Sequence, residues 1–207
     1  MPFVGDIFSQ LKAAPDIRIL QEIRDGEFTG VTGSELLEFV RKARTFLASK
    51  GLKKGDRCAI LAPNSIRWIA LDLAAMAEGL IVVPLYFRQS PAELVVMMKD
   101  STPALICCAD VTLRDGIQQA WPQSPPLSLF DEIFQGVEGI SLDRPQLRDE
   151  DPVTMVHAGL HFGEARRTDG RSHRPGPYLP LSAVEFLRIM DCRSHVHAAW
   201  KPDYVEH

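Results

Sequence analysis

Residues 58–109 read CAILAPNSIRWIALDLAAMAEGLIVVPLYFRQSPAELVVMMKDSTPALICCA. Three short, continuous apolar runs stand out: Cys58 to Ala62, Leu80 to Val83 and Ala104 to Ala109. Such runs predict strands covered on both faces, as in a parallel sheet. Pro63-Asn64-Ser65 ends the first run and can cap a helix, along which Ile66, Ile69, Leu73, Met76 and Ala77 share a face until Gly79 stops it. Ser90-Pro91-Ala92-Glu93 is a capping box with proline at the first helical position, where a missing N–H costs nothing. Leu94, Met97 and Met98 supply that helix's apolar face, and Pro103 breaks it. This β-α-β-α-β order requires right-handed crossovers with helices packed on the sheet. Leu61, Val82 and Ile106 are expected in neighbouring strands, beneath helices at 34–50, 65–78 and 91–100.

Upstream, residues 1–15 predict an amphipathic helix with Ile7, Phe8 and Leu11 on one face. Ile17 to Arg24 alternates as a strand does, Asp25-Gly26 reads as a turn, and Phe28 to Val31 as the return strand. Thr32-Gly33-Ser34-Glu35 is a second capping box. Leu36, Val40, Ala43 and Leu47 follow at helical spacing, and Gly51 fits the C′ position. Downstream, Val111 to Ala120 reads as one more helix, 121–150 as a connecting stretch rich in proline and acid, and Val153 to Val156 as a further strand. The expected fold is therefore α/β: a parallel-rich sheet with flanking helices, followed by a poorly structured C-terminal tail.

Composition places the tail boundary. All six histidines lie at or after His157, whereas six of the seven lysines precede it. The tail also holds Arg166, Arg167, Arg171, Arg174, Arg188 and Arg193, with Pro175, Pro177 and Pro180. A shift this abrupt divides the chain into 1–156 and an irregular 157–207. Within the tail, Leu181 to Met190 is the one stretch that could form a short helix.

A formal net charge of −4 is too mild to suggest nucleic acid or a membrane surface as partner. No apolar run is long enough for a transmembrane segment, and Met1-Pro2-Phe3-Val4-Gly5-Asp6 lacks a signal peptide's basic start. Cys58, Cys107, Cys108 and Cys192 form no Cys-x-x-Cys, and read as reduced thiols of a cytoplasmic protein. His157 and His161 could share a helix face and His195 and His197 a strand face, with Cys192 as a further soft ligand. A metal site needs three or four converging ligands, so they are read as scattered tail residues and no metal is expected. Gly30, Gly33 and Gly55 make no dinucleotide fingerprint, because the first βα turn is Ala62-Pro63-Asn64-Ser65. Asp72 and Glu78 are read as surface carboxylates rather than an acid/base pair.

Several of these pieces, in order, resemble a known family. They are Thr32 to Leu37 with Ala43, Leu47, Gly51 and Leu52; then Lys54-Gly55-Asp56-Arg57 and Ala59-Ile60-Leu61. Pro63-Asn64-Ser65 with Trp68, Ala74, Gly79 and Val83-Pro84-Leu85 follows, and then Ser90-Pro91-x-Glu93-Leu94 with Asp100-Ser101. Together they resemble the opening of the adenylate-forming enzymes, the AMP-forming acyl-CoA synthetases among them, from about Gly30 to Ala109 and more loosely to Val156. The resemblance implies ATP-dependent activation of a carboxylic acid, of the fatty acid class, to an acyl adenylate. Transfer to a thiol, commonly that of coenzyme A, then follows. It also implies ATP, magnesium and coenzyme A as the parent family's cofactors.

The family's phosphate-gripping loop should follow Asp151-Pro152-Val153-Thr154-Met155-Val156. The chain continues instead as His157-Ala158-Gly159-Leu160-His161-Phe162-Gly163-Glu164-Ala165-Arg166-Arg167. Only Gly163 and the cation Arg166 stand at loop positions; hydroxyls are absent, and Leu160 and Phe162 would crowd a phosphate. The adenine segment and the catalytic lysine that the resemblance implies are missing. No catalytic residue is therefore assigned, no cofactor is expected for this chain alone, and the isolated chain is expected to be inactive. Two origins of the tail stay open: a small protein with its own C-terminal region, or a frameshift near codon 156. Back-translating His157 to Ala165 and reading one base later permits Thr-Pro-Gly-Ser-Thr-Ser-Gly-Lys, which favours the frameshift. The rival function is a non-catalytic binding protein, with self-association through an exposed apolar face. A histidine-rich metal-binding protein is the third reading.

Overall fold

The computed structural model describes residues 2–24, 26–142, 145–148, 150–156 and 179–182. Helix α1 (Pro2–Ala13) leads into an antiparallel hairpin, β1 (Arg18–Arg24) and β2 (Glu27–Thr32), closed at Gly26 with φ +82°. Helix α2 (Gly33–Ser49) starts at the expected capping box: Thr32 Oγ1 accepts from the Glu35 amide, and the Glu35 carboxylate accepts from the Thr32 amide at 2.8 Å. Gly33 is required there. A Cβ would lie 2.6 Å from the Ala14 carbonyl oxygen and 2.7 Å from that of Leu11, so only glycine lets the two helices meet this closely.

Next come β3 (Arg57–Leu61), α3 (Ile66–Ala77), β4 (Ile81–Leu85), α4 (Pro91–Ser101), β5 (Leu105–Cys108) and α5 (Val111–Ala120). They are followed by β6 (Leu127–Leu129), α6 (Phe130–Gln135), β7 (Pro152–Val156) and β8 (Leu179–Ser182). The main sheet runs β6-β5-β3-β4-β7-β8. The first five of these strands are parallel, and β8 pairs antiparallel with β7 at the edge.

The chain steps from β3 to β4 through α3, then returns past β3 to β5 through α4. Right-handed crossovers taken in opposite directions put their helices on opposite faces. Cys58, Ile60, Val82, Leu105 and Cys107 accordingly join the core with α2, α3 and α6. Ala59, Leu61, Val83, Leu85, Ile106 and Cys108 join the core with α4 and α5. Alternate residues of each strand thus meet apolar neighbours on both sides, the physical origin of the unbroken apolar runs. Leu61, Val82 and Ile106 lie in adjacent strands as expected.

Pro84 marks a seam. The Ile81 amide donates to the Asp56 carbonyl beside β3, so the alternate residues Val82 and Pro84 turn their backbone groups to β7. Proline offers no N–H there. The β4–β7 ladder holds one residue pair, Val82 with Thr154, reinforced by Thr154 Oγ1 donating to the Val82 carbonyl at 3.1 Å.

The structure corrects two expectations about the secondary-structure elements. The stretch 121–150 is more than a connection, since it carries β6 and α6, with Phe130, Ile133 and Phe134 buried. Leu181 does not open a helix: it lies in β8, where Pro180 is tolerated because an edge strand need not donate on its outer side.

Candidate functional site

Open α/β sheets bind ligands beyond the carboxyl ends of their strands, where successive connections diverge to opposite faces. Here that place flanks the end of β3, whose connection leaves on one face while those of β4 and β5 leave on the other. Three turns meet at this edge: Ala62-Pro63-Asn64-Ser65, Tyr86-Phe87-Arg88-Gln89 and Ala109-Asp110.

The helix starts at this edge are already supplied with acceptors. On α3, Ser65 Oγ accepts from the Trp68 amide at 3.1 Å, and Glu22 reaches from the hairpin to accept from the Ile66 amide at 2.7 Å. On α4, Ser90 Oγ accepts from the Glu93 amide at 3.4 Å, while the Glu93 carboxylate accepts from the Ser90 amide at 3.0 Å. The Ser90 hydroxyl, donating to the Glu93 carboxylate at 2.8 Å, and then the Ser90 amide hold the Glu93 carboxyl below its ordinary value. On α5, Asp110 accepts from the Leu113 amide at 2.9 Å. A helix start attracts anions through amides that lack partners, and at each of these starts the chain's own side chains already take part of the set.

What remains exposed at the edge is aromatic and cationic. Tyr86 is 59% exposed, and its ring lies 5.9 Å from that of Phe87, which packs on the core beneath α4. The Arg88 guanidinium sits 5.5 Å from the Phe87 ring centre. Chemically, this corner can stack a planar group and neutralise one negative charge. Sequence reasoning passed over it; its signal was Tyr86-Phe87-Arg88 standing between a buried strand and a capping box. On the neighbouring face, Arg67 of α3 pairs with Asp131 of α6 at 2.6 Å.

Strand β7 ends at this edge with Val156, 45% exposed. At its other end Lys54 holds it in place, with Nζ 2.5 Å from the Asp151 carboxylate and donating to the Gln146 carbonyl at 2.7 Å. Lys54 and the Arg148 amide hold the Asp151 carboxyl low. The segment after Val156, with Gly163 and Arg166, lies outside the described residues, as do His157, His161, Cys192, His195 and His197. Among the described residues no three His, Cys, Asp or Glu side chains converge on a metal position.

Cys58, Cys107 and Cys108 are buried free thiols, with Cys58 and Cys107 sulfurs 3.6 Å apart. That contact and burial push the Cys107 thiol far up, and burial raises Cys108 to about 12, so neither forms a reactive thiolate at neutral pH. Asp72 and Glu78 are not the solvated carboxylates expected. Glu78 pairs with Arg44 at 2.6 Å, and burial, with no compensating partner among the described residues, pushes Asp72 up to about 7. Among the described residues, no helix is long and apolar enough to cross a membrane.

A family model described as AMP-binding enzyme matches residues 7–158. The long-chain-fatty-acid–CoA ligase FadD15 of Mycobacterium tuberculosis (strain H37Rv) is 28% identical over 177 residues, covering 77% of this chain and 29% of the relative. The mitochondrial medium-chain acyl-CoA ligase ACSF2 of Homo sapiens is 38% identical over 69 residues, covering 33% of this chain and 11% of that one. Among solved structures, VinN with L-aspartate superposes with a TM-score of 0.67 at 23% identity, over 75% of this chain and 44% of that one. A Mycobacterium tuberculosis fatty acyl-CoA synthetase gives 0.61 at 20% identity, over 75% and 32%. The structural likenesses show the fold, an adenylate-forming enzyme's amino-terminal α/β unit, and the chain spans less than a third of the FadD15 length. With the family model covering well over half of it, this chain belongs to the AMP-binding enzyme family.

Proposed function

We propose that this chain is the amino-terminal part of an enzyme that activates a fatty acid with ATP and passes the acyl group to coenzyme A. We propose further that the chain alone does not perform the reaction. The first proposal rests on the family match over residues 7–158, and the second on the carboxyl edge, where α3, α4 and α5 each begin on an acceptor from the chain itself. Gripping a triphosphate takes unpartnered amides and a cation. The described residues do not supply such a grip for ATP or magnesium. The sequence after Val156 supports the same reading, since 157–167 holds no hydroxyl residue. The relatives named long-chain-fatty-acid and medium-chain acyl-CoA ligases support a carboxylic acid of the fatty class.

The test is carboxylate-dependent exchange of labelled pyrophosphate into ATP by the purified chain. No exchange above a no-enzyme control is expected, and clear exchange overturns the reading. The same proposal places the boundary near 156, with 157–207 a frameshift-derived tail of a cytoplasmic protein. Sequencing the DNA downstream tests that: an open frame encoding a phosphate loop supports it, and a stop followed by unrelated sequence favours a separate binding protein.

A further inference from the structure

We propose that Cys58 and Cys107 form a buried two-sulfur site for a trivalent metalloid, taken up as arsenous acid, independently of any catalytic reading. The two free thiols lie on adjacent central strands, β3 and β5, on the side of the sheet that packs against α2 and α3. Their sulfurs are 3.6 Å apart, and both residues are 0% exposed. The ladder pairs Cys58 with Leu105 and Cys107 with Ile60, so the cysteines stand two residues apart along the strands. Strands about 4.8 Å apart, with about 6.6 Å between alternate residues, put the two Cα atoms about 8 Å from each other, too far for a disulfide without backbone movement. The gap suits a single bridging atom instead.

Geometry, coordination and charge together select that atom. Bonds of about 2.3 Å, the zinc–sulfur length and close to that of arsenic to sulfur, span a 3.6 Å gap at an angle of about 100°. That angle suits a pyramidal centre, whereas a linear one, such as two-coordinate copper(I) or mercury(II), needs sulfurs about 4.6 Å apart at that bond length. Among the described residues no third His, Cys, Asp or Glu converges on the pair, which disfavours an ion that takes four protein ligands. Two thiolates on copper(I) also leave a net negative charge in an apolar core, where charge is costly, and the arsenic adduct is neutral. Arsenous acid brings its own third ligand. One As(OH)3 and the two thiols give an arsenic bound to both sulfurs and one hydroxyl, plus two waters. Two As–O and two S–H bonds break, two As–S and two O–H bonds form, and no electrons are exchanged. Cys108, next along β5, faces the opposite core and cannot join.

The test loads the folded full chain with sodium arsenite, removes the excess by gel filtration and weighs the product by native mass spectrometry. One arsenic per chain is expected, abolished by Cys58→Ala and by Cys107→Ala. A chain carrying both Cys108→Ala and Cys192→Ala should still load. Since the site is closed, uptake should pass through local opening, and its rate should level off as arsenite rises. X-ray absorption at the arsenic edge should show two sulfur neighbours and one oxygen. Thermal melts check that every variant is folded. If a single variant unfolds, the absorption spectrum of the Cys108→Ala, Cys192→Ala chain decides, because Cys58 and Cys107 are then the only thiols left. No arsenic on the folded chain, one or three sulfur neighbours, or uptake indifferent to Cys58→Ala would overturn the proposal. So would uptake lost in the Cys108→Ala, Cys192→Ala chain, which would assign capture to the adjacent Cys107 and Cys108 of an opened chain.

Discussion

Arg44 on α2 and Glu78 at the end of α3 meet at 2.6 Å, each side chain only 14% exposed. The bond ties the two most extensively packed helices on one face of the sheet, beside Gly79, where the chain turns into β4. Removing one partner leaves the other charge poorly solvated. Arg44→Met should cost about 2 kcal/mol in urea unfolding, and Glu78→Gln in that background should recover part of it. Strictly additive losses would show that the two charges do not depend on each other.

Asp72 gives stability a pH dependence of defined sign. Its carboxyl titrates near 7 in the fold, against 3.8 when free. Between those values the folded chain binds the extra proton, so stability falls as pH rises from about 4 to about 7 and is flat above. Asp72→Asn should stabilise by about 1–2 kcal/mol at pH 8, allowing for partial exposure, and by little at pH 4. An equal effect at both pH values excludes this origin.

Gly33→Ala should destabilise by about 2 kcal/mol or more, since the new methyl meets two backbone carbonyls that cannot rotate away. Gly5→Ala, with nothing within 4 Å of its Cβ position inside α1, is the control and should stabilise by up to about 1 kcal/mol through helix propensity. Comparable melting points for the two variants would mean that α1 can shift off α2 at little cost.

Thr154→Val should leave the Val82 carbonyl without its hydroxyl donor and cost about 1–3 kcal/mol, whereas Thr154→Ser should retain most of the stability. Hydrogen exchange should quicken in β7 before β3 or β5. Uniform loss of protection across the sheet would contradict a local role.

Much of this architecture was legible because local signals and tertiary packing agree. The Thr32 and Ser90 boxes form as their residue types dictate, and strands covered on both faces leave unbroken apolar runs. Leu127-Ser128-Leu129 and Phe130 to Gln135 were missed because three and six residues are too few to display a period. Asp72 misled because an acid on an otherwise apolar helix looks surface-bound until its neighbours are placed around it. At the edge, the capping residues were readable one by one. That Glu22 caps a helix 44 positions away depends on the hairpin folding back, which no local pattern encodes.

Pro84 also has a mechanical consequence. Pulled from its carboxyl end, the sheet should part between β4 and β7, where one ladder pair and one hydroxyl resist, rather than between β3 and β4 with five pairs. The strand that feeds the segment after Val156 is thus a detachable leaf, able to yield under load while the rest of the sheet stays shut.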